Sequence, residues 1–414
     1  MTDPLAKPKR KNLLERTRLP LSPPGMRSRA AHLLTQAAAE GRFALPACHA
    51  CGAVHYPPRD ACPKCLSAVI VLNDVSPLGV LVAVTTTRVS NDSYFRERMP
   101  WRIGTVVSDA GPSIIAHVHG DVSEGDRVLM SWHLDKGGNA AVMALPEKET
   151  PHMADDRQLR EMTLDPKFRR VLVTDGRSAV GQAMVAALAK AGASIIFAGV
   201  AEAWKPFPGR DALAKVAGVE IVPLDVTDAD GMGELASGIG PKVDILINTV
   251  AHIRPGGLLD RKGVAVAREE MEIGYFGLMR LAQAFGPVMR FRGADGANSA
   301  CAWVNILSVY AQMTWPAFGA HSAVQAAMLS AALSLRTELR PGGVRVVNVF
   351  TGPVDTDWFQ TVPPPKVAPA QIATAVVEAL KRGMEDVYVG DVAEDVRARL
   401  AVNPKALERE LGSA

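Results

Sequence analysis

The sequence has no run of 18 or more apolar residues, which a membrane-spanning helix would require. It also lacks a large charge imbalance, because 46 basic and 43 acidic residues give a formal net charge of only +3. Such a charge does not make nucleic acid or an anionic membrane an obligate partner. The first residues lack the basic, apolar and small-residue pattern of a secretory signal. We therefore expect a cytoplasmic protein that has no membrane partner.

Cysteine is scarce, and four of the five cysteines form two Cys-x-x-Cys pairs. The pairs are Cys48 with Cys51 and Cys62 with Cys65, which is a spacing that presents four thiolates to one tetrahedral ion. A reducing compartment suits such a set. Four thiolates leave no open coordination position, so we predict a structural zinc, with iron as the alternative metal. Cys301 lies in an apolar stretch and is expected to be inert core.

A chain of 414 residues exceeds what one core usually organises, so two domains are expected. Residues 1–25 are rich in proline and basic groups and predict a disordered tail or a docking arm for an acidic partner. Apolar spacing predicts a helix from Arg27 to Glu40 that stops at Gly41. Short strands separated by turn signals then predict a small β-barrel, which completes a first domain over residues 26–148. The predicted strands are Val69–Leu72, Val80–Arg88, Gly104–Val107, Ile114–His119, Arg127–His133 and Ala140–Ala144.

Residues 149–168 are polar and contain two prolines, which predicts a linker with a short helix at most. From residue 169 to 414 apolar strands alternate with helical segments, a pattern typical of a parallel sheet covered on both faces. The predicted fold class is therefore α/β plus small β, with a metal-binding ribbon and barrel followed by a Rossmann-like doubly wound sheet. The predicted strands are Val171–Thr174, Ser194–Ala198, Glu220–Leu224, Val243–Asn248, Trp303–Leu307 and Arg345–Val349.

The metal-binding segment resembles a known family. The two cysteine pairs, the Tyr-Pro-Pro-Arg step over residues 56–59 and the strands that follow are similar to the zinc-ribbon/OB-fold proteins associated with thiolases. The resemblance covers roughly residues 26–148. It implies an OB-fold barrel that works beside a thiolase, aldolase or enoyl-CoA hydratase and handles acyl-CoA thioesters.

An OB-fold can instead bind single-stranded nucleic acid by stacking bases on aromatic side chains in a basic groove. The candidate cluster lies in one segment rather than across several strands, so we do not favour this alternative. Its members are Tyr94, Phe95, Arg96, Arg98, Trp101 and Arg102.

Residues 169–410 resemble the short-chain dehydrogenase/reductase family along nearly their whole length. Asp225 follows the third strand, where the family places an aspartate that contacts adenine. Gly352 and Thr356 belong to a segment like the loop beside the nicotinamide. Ser308 ends a strand at the place of the catalytic serine. The resemblance implies a dinucleotide fold with a known set of site positions.

The phosphate-binding loop departs from the family pattern Thr-Gly-x-x-x-Gly-x-Gly. Asp175 replaces the first glycine and would bring a carboxylate close to bound phosphates, while Ala179 replaces the second. Gly176 is present within the loop, and Gly181 matches the third glycine. The loop therefore predicts weakened dinucleotide binding.

Two further cofactor elements have changed. Residues 198–200, after the second strand, offer neither an acid for a ribose hydroxyl nor a base for a 2′-phosphate. Of the family's Asn-Asn-Ala-Gly element only Asn248 is kept. If NAD(P) binds at all, the resemblance assigns it the following positions: Gly176, Gly181, Asp225, Asn248, Gly352 and Thr356.

The catalytic positions have changed more. Ser308 remains, but His321 stands at the position of the catalytic tyrosine, Gln325 at the position of the lysine and Gly274 at the position of the relay asparagine. We expect no useful NAD(P) binding and no hydride transfer. One alternative is an NAD(P)-dependent hydroxyacyl-CoA dehydrogenase in which His321 exchanges the proton. Another is a Ser308–His321 dyad for acyl transfer, although no oxyanion hole or orienting acid can be named.

The segment that follows His321 is dense in small residues, and in this family that helix pairs with its counterpart in another subunit. The sequence predicts a non-catalytic or weakly catalytic subunit of an acyl-CoA-processing complex, of the kind that degrades steroid or aromatic acyl-CoA by β-oxidation-like steps. Its expected partners are a thiolase-like or aldolase-like enzyme, acyl-CoA, and a second copy or an active short-chain dehydrogenase.

Overall fold

The computed structural model describes residues 1–9, 18–25, 28–260, 262–294 and 299–413. Part of the predicted N-terminal tail, residues 10–17, and the predicted helix start at Arg27 lie outside the described residues. The chain divides into two compact units, which are described separately. Of the described residues, the first unit comprises Met1–Lys9, Leu21–Asp165 and Leu380–Met384, and the second comprises 18–20, Pro166–Ala379 and 385–413.

The first unit begins with the predicted helix. A 3-10 turn over Arg29–His32 continues into helix α1, Leu33–Glu40. Gly41 ends the helix with a left-handed backbone, φ 66°, which glycine adopts without steric cost. The buried face of α1 packs into the core of the barrel. The helix and its stop signal are confirmed.

The ribbon is built on an antiparallel pair of strands. Strand β1, Ala44–Cys48, pairs with β2, Ile70–Asp74. The sequence analysis missed β1, because five residues that include a proline give no alternating pattern. The first cysteine pair follows at once, since Cys48 ends β1 and a tight turn donates the N–H of Gly52 to its carbonyl.

Five further strands close into a barrel in the order β3-β4-β5-β7-β6. Neighbouring strands are antiparallel except β5 and β7, which are parallel. This order, with the third strand paired to the fifth, is that of an OB-fold, and the predicted barrel is confirmed. The one-turn helix α2, Ser93–Arg96, lies between β3 and β4. The strands are β3 Leu78–Thr87, β4 Trp101–Ser108, β5 Ser113–Val118, β6 Arg127–Leu134 and β7 Ala140–Pro146.

The segment over residues 149–168, predicted as a linker, carries helix α3, Arg157–Met162. The Asp156 carboxylate accepts the N–H of Leu159 at 2.9 Å and caps the helix. Leu159 and Met162 pack with Trp101 of β4. Much of this segment is therefore packed against the barrel.

The second unit is a seven-stranded parallel sheet in the order β10-β9-β8-β11-β12-β13-β14. This is the doubly wound order 3-2-1-4-5-6-7 and confirms the predicted fold class. The strands are β8 Arg170–Val173, β9 Ile195–Val200, β10 Val219–Pro223, β11 Ile245–Asn248, β12 Ala302–Ser308, β13 Arg345–Thr351 and β14 Asp386–Val389. The helices are α4 Ala179–Lys190, α5 Arg210–Ala214, α6 Ala229–Ile239, α7 Ala265–Met271, α8 Gly277–Phe291, α9 Gly319–Leu339, α10 Pro369–Arg382, α11 Asp391–Val402 and α12 Pro404–Ser413.

The central strands are buried, as continuous apolar runs in a covered parallel sheet predict. The core contains Phe197, Phe285, Trp303 and Phe350, each 1% exposed or less. A π-helical turn over Glu272–Phe276 joins α7 to α8. Within the described residues, no helix is both long enough and apolar enough to cross a membrane.

Candidate functional site

The four paired cysteines form a compact cluster in the first unit. The Sγ atoms of Cys48, Cys51, Cys62 and Cys65 all lie within 4.8 Å of one another. The Cys48–Cys65 and Cys51–Cys62 sulfur distances are 3.5 and 3.6 Å. Tetrahedral zinc, with Zn–S bonds of about 2.3 Å, requires sulfurs about 3.8 Å apart. The donor set fits a structural zinc, which would hold the two turns of the ribbon together.

A cleft of about 1150 Å³ opens at the carboxyl ends of the strands in the second unit, where doubly wound sheets bind ligands. Its walls include eight positions that the sequence analysis singled out, Asp175, Ala179, Asp225, Ser308, His321, Gln325, Gly352 and Thr356. Four others, Gly176, Gly181, Asn248 and Gly274, are not among the residues that line it.

Three of these four have structural roles close to the cleft. A Cβ on Gly181 would lie 1.7 Å from the carbonyl oxygen of Asp175, so helix α4 and the loop can meet only at a glycine. A Cβ on Gly176 would lie 3.1 Å from that of Ala198. The side chain of Asn248 accepts the hydroxyl hydrogen of Thr174 at 3.0 Å. Packing alone accounts for these residues.

Two backbone N–H groups of the phosphate loop donate to side chains of the same loop. Asp175 Oδ1 accepts the N–H of Arg177 at 3.0 Å, and Ser178 Oγ accepts the N–H of Gly181 at 3.1 Å. Burial raises the pKa of Asp175 above its usual value, against the N–H groups of Arg177 and Ser178, which lower it. In this fold a pyrophosphate binds N–H groups at the start of this helix. Two N–H groups of the loop are thus bonded within it, and the Asp175 carboxyl group lines the cleft beside them.

Gln325, at the position of the family's lysine, forms a structural hydrogen bond. Gln325 Oε1 accepts the backbone N–H of Ser308 at 2.9 Å, and Nε2 lies 3.8 Å from the sulfur of Met328. Ser308 Oγ accepts the N–H of Tyr310 at 3.2 Å. Gln325 thus anchors the end of strand β12 and supplies no positive charge to a neighbouring acid.

The position of the relay asparagine has no room for a side chain. A Cβ on Gly274 would lie 2.8 Å from Val324 Cγ1 and 3.2 Å from Met328 Sδ. Both neighbours belong to α9. An asparagine here would require the side chains of Val324 and Met328 to shift, so the relay position of the family is crowded in this packing.

His321 is the most unusual residue of the cleft. It is 3% exposed, its ring meets that of Phe359 edge-on at 6.4 Å, and neither ring nitrogen has a hydrogen-bond partner among the described residues. Burial lowers the pKa of His321 to about 4, so the ring is neutral at pH 7. The predicted Ser308–His321 dyad is not formed, because no hydrogen bond reaches either nitrogen.

This burial predicts a pH-dependent stability. The unfolded chain binds a proton at His321 near its usual pKa of 6.5, whereas the folded chain does so only near 4. The unfolding free energy is therefore highest above pH 6.5. As the pH falls towards 4 it decreases by on the order of 3 kcal/mol, because only the unfolded chain takes up the proton. We expect the unfolding free energy of wild type, relative to His321→Phe, to fall over this range. Denaturant titrations of both proteins from pH 7 to 4 would measure it, and parallel curves would contradict it.

The adenosine end of the cleft has, besides the predicted Asp225, two charged side chains that the sequence analysis did not name, Arg177 and Glu202. Arg177 Nη1 lies 3.3 Å from the carbonyl oxygen of Ala201 and 3.9 Å from Glu202 Oε2. Asp225 Oδ1 accepts the N–H of Thr227 at 2.8 Å. Residues 198–200 themselves carry no acid or base, but Glu202 lies two residues beyond strand β9 and Arg177 approaches it from the phosphate loop.

The aromatic cluster of the barrel does not form a stacking surface. Tyr94 and Trp101 are 3% and 2% exposed. The Arg98 guanidinium lies over the Tyr94 ring at 3.8 Å and pairs with Glu161 at 2.9 Å. Bases cannot reach these ring faces, so the structure argues against the nucleic-acid alternative.

Comparison with known families matches both parts of the chain. The short chain dehydrogenase model matches residues 169–366, and a model described as the ChsH2, rubredoxin-like zinc ribbon domain matches residues 35–71. A solved short chain dehydrogenase from Burkholderia cenocepacia J2315, in complex with NADP, is 31% identical. That alignment covers 60% of this chain and 99% of the other, with a TM-score of 0.53. The chain belongs to the short-chain dehydrogenase family.

Other members of the family share the second half of this short-chain dehydrogenase. The 1-deoxy-11-beta-hydroxypentalenate dehydrogenase of Streptomyces exfoliatus is 27% identical over 267 residues, which are 59% of this chain and 94% of that protein. A short-chain dehydrogenase structure from Streptomyces avermitilis, 24% identical with a TM-score of 0.50, covers 59% of this chain and 96% of the other and shows the shared fold. The NADP in the Burkholderia relative gives no support to the expected absence of NAD(P).

Proposed function

We propose that this short-chain dehydrogenase with a zinc ribbon is a non-catalytic or weakly catalytic subunit of an acyl-CoA-processing complex. The observation that carries the proposal is the amide of Gln325 at the position of the lysine, where it accepts the N–H of Ser308. Hydride transfer in this fold needs an acid whose pKa is tuned towards neutrality. Here burial keeps the neighbouring His321 neutral at pH 7, and within the described part of the chain its ring nitrogens have no hydrogen-bond partner that could tune the pKa.

The cofactor part of the proposal rests on the phosphate loop. The Asp175 carboxylate accepts a hydrogen bond from the N–H of Arg177 and would repel a pyrophosphate. We therefore propose that the isolated protein does not bind NAD(P) usefully, although Arg177 and Glu202 keep polar groups at the adenosine end. The zinc of the ribbon would be structural.

A second candidate is an NAD(P)-dependent hydroxyacyl-CoA dehydrogenase that uses His321. The polar adenosine end and the NADP held by the Burkholderia relative favour it. Calorimetric titration with NADH and NADPH, followed by assays of carbonyl reduction, separates the two. A dissociation constant in the low micromolar range with measurable turnover would establish the dehydrogenase and reject the non-catalytic subunit.

The partner part rests on two surfaces. Residues 35–71 match the ChsH2 zinc ribbon model, and the sequence of this region resembles thiolase-associated proteins. We therefore propose the ribbon and barrel as the contact with a thiolase-like or aldolase-like enzyme. Helix α9 leaves the small residues Ala323, Ala326 and Ser330 exposed, together with Leu333. Small side chains permit close approach of helices, so α9 is the proposed contact with a second copy or an active short-chain dehydrogenase.

Two variants should separate these contacts. Deletion of residues 1–148 should abolish co-purification of the cleaving enzyme from the native host and preserve dimerisation. Ala327→Glu, on the half-buried border of the same α9 face, should do the reverse because it buries a charge at the subunit contact. Pull-down and light scattering measure the two effects, with Ala212→Glu on exposed α5 as the matched control. A monomeric wild type without a co-purifying enzyme would contradict the proposal.

A further inference from the structure

The sulfur cluster of the ribbon has a buried side and an exposed side. Its two Cys-x-x-Cys turns, residues 48–51 and 62–65, are called knuckles here, and each contributes one cysteine to either side. Cys48 and Cys62 are 2% and 0% exposed, whereas Cys51 and Cys65 are exposed. The exposed pair belongs to the knuckle tips, because residues 49–52 and 63–66 are all exposed. Small solutes can therefore approach the cluster from this side.

Each exposed cysteine has a buried cysteine of the other knuckle as a close neighbour. The Cys65 sulfur lies 3.5 Å from that of Cys48, and the Cys51 sulfur lies 3.6 Å from that of Cys62. A disulfide bond is about 2.0 Å long, so each pair must approach by roughly 1.5 Å to form one. Rotation of the cysteine side chains can supply such a movement.

This arrangement has the features of an oxidation site. Zinc-bound cysteines are thiolates, which is the form that reacts with peroxides. Redox-sensing cysteines are accessible thiolates that lie beside a second cysteine, which converts the first oxidation product to a disulfide. Cys65 with Cys48 and Cys51 with Cys62 meet both conditions. Cys301 is 4% exposed and lies outside the cluster, so it meets neither.

We propose that the ribbon is a modification site for hydrogen peroxide. The exposed Cys65 and Cys51 are oxidised first and then form disulfides with the buried Cys48 and Cys62, and the zinc is released. Disulfides of intracellular proteins are usually transient and redox-sensing, which suits a reversible switch of this kind. The inference does not rest on the proposed function.

Each bridge forms in two steps. The exposed thiolate attacks one oxygen of hydrogen peroxide, the O–O bond breaks, the sulfur is oxidised to a sulfenic acid and hydroxide leaves. The buried thiolate then attacks the sulfenic sulfur, the S–S bond forms and a second hydroxide leaves. One bridge thus consumes one peroxide and two protons and yields two waters. Formation of both bridges removes all four thiolate ligands, so the zinc dissociates.

The two bridges take over the link that the zinc provides. Each joins one knuckle to the other, between residues that are 17 and 11 positions apart. A disulfide that closes a loop of this size restricts the unfolded chain and stabilises the fold. We therefore expect the oxidised ribbon and barrel to stay folded without zinc, whereas bridges within a knuckle would leave the two turns unlinked.

Peroxide treatment of the full-length, zinc-loaded chain tests the inference. A chromogenic chelator should detect release of close to one equivalent of zinc, and alkylation of the denatured product should find one free thiol, Cys301, among the five cysteines. Peptide mapping by mass spectrometry should identify the Cys48–Cys65 and Cys51–Cys62 bridges. Dithiothreitol with zinc should restore all five thiols and the metal. Retention of zinc in millimolar peroxide, or bridges confined to single knuckles, would overturn the inference.

A histidine in place of an exposed cysteine tests the pairing. Cys65→His keeps a zinc ligand and removes one exposed thiolate. Peroxide should give this variant the Cys51–Cys62 bridge and leave Cys48 reduced, while Cys301→Ala should form both bridges as wild type does. A Cys48–Cys51 bridge in Cys65→His would show that distance does not select the pairs and would reject the assignment. The wild-type map decides the inference whether or not Cys65→His retains zinc.

The inference and the proposed function fail separately. Turnover of NADPH with a carbonyl substrate would reject the non-catalytic subunit and leave the map of disulfides unchanged. Retention of zinc in peroxide would reject the oxidation site, and it would not affect the titrations with NADH and NADPH or the pull-down of a cleaving enzyme.

Discussion

Replacement of Cys62 with serine should unfold the ribbon and barrel and leave the second unit folded. Cys62 is fully buried, and its sulfur lies 3.6 Å from that of Cys51. A structural zinc contributes about 10–16 kcal/mol to small zinc-binding peptides, which is as large as the whole unfolding free energy of a typical domain, about 5–15 kcal/mol. The parallel sheet of the second unit has its own core of large apolar side chains and holds none of the four ligands. The unfolding caused by loss of the metal should therefore be confined to the first unit.

Metal analysis and thermal unfolding would measure this effect. Wild type should contain close to one zinc, whereas Cys62→Ser should contain little and should lose one of two unfolding transitions. Cys301→Ala is the matched control, because Cys301 is buried beside strand β12, away from the cluster. Less than about half an equivalent of metal in freshly purified wild type would contradict a structural zinc.

The sequence was sufficient where one local pattern determined the structure. The Cys-x-x-Cys spacing predicted the sulfur cluster, and the alternation of apolar strands and helices predicted the doubly wound sheet. Strand β1 was missed because its five residues show no alternation of apolar and polar side chains. They are held in place by pairing with β2 and by the indole N–H of Trp132, which donates to the carbonyl oxygen of Ala44. Tertiary contacts, and not the local sequence pattern, determine strand β1.

The site was predicted by position but not by contact. Ser308, His321 and Gln325 line one cleft, as the resemblance implied. The link from Gln325 to the Ser308 N–H and the isolation of His321 depend on side-chain packing that spacing does not encode. The role of Glu202 was missed for a related reason, since it approaches Arg177 only because the chain turns after β9.

The second large effect concerns the phosphate loop, where Asp175→Gly with Ala179→Gly should tighten NADPH binding by roughly tenfold to a hundredfold, equivalent to about 1.4–2.8 kcal/mol. The change removes the carboxylate that occupies the N–H of Arg177 and the methyl group at the closest approach to a pyrophosphate. The N–H of Arg177 would then be free to donate to a phosphate, and the Arg177 guanidinium would remain at the adenosine end.

The same variant should not reduce carbonyls, because His321 and Gln325 are unchanged and Gly274 still has no space for a relay side chain. Calorimetric titration with NADPH and a carbonyl-reduction assay on the same preparation test both halves of the prediction. Asp230→Asn, an exposed acid in the first turn of α6, controls for the loss of one negative charge elsewhere. Equal affinity in wild type and the double variant would show that the loop is not the obstacle. Turnover in the double variant would show that His321 can serve as the acid. It would favour an active dehydrogenase over the non-catalytic subunit.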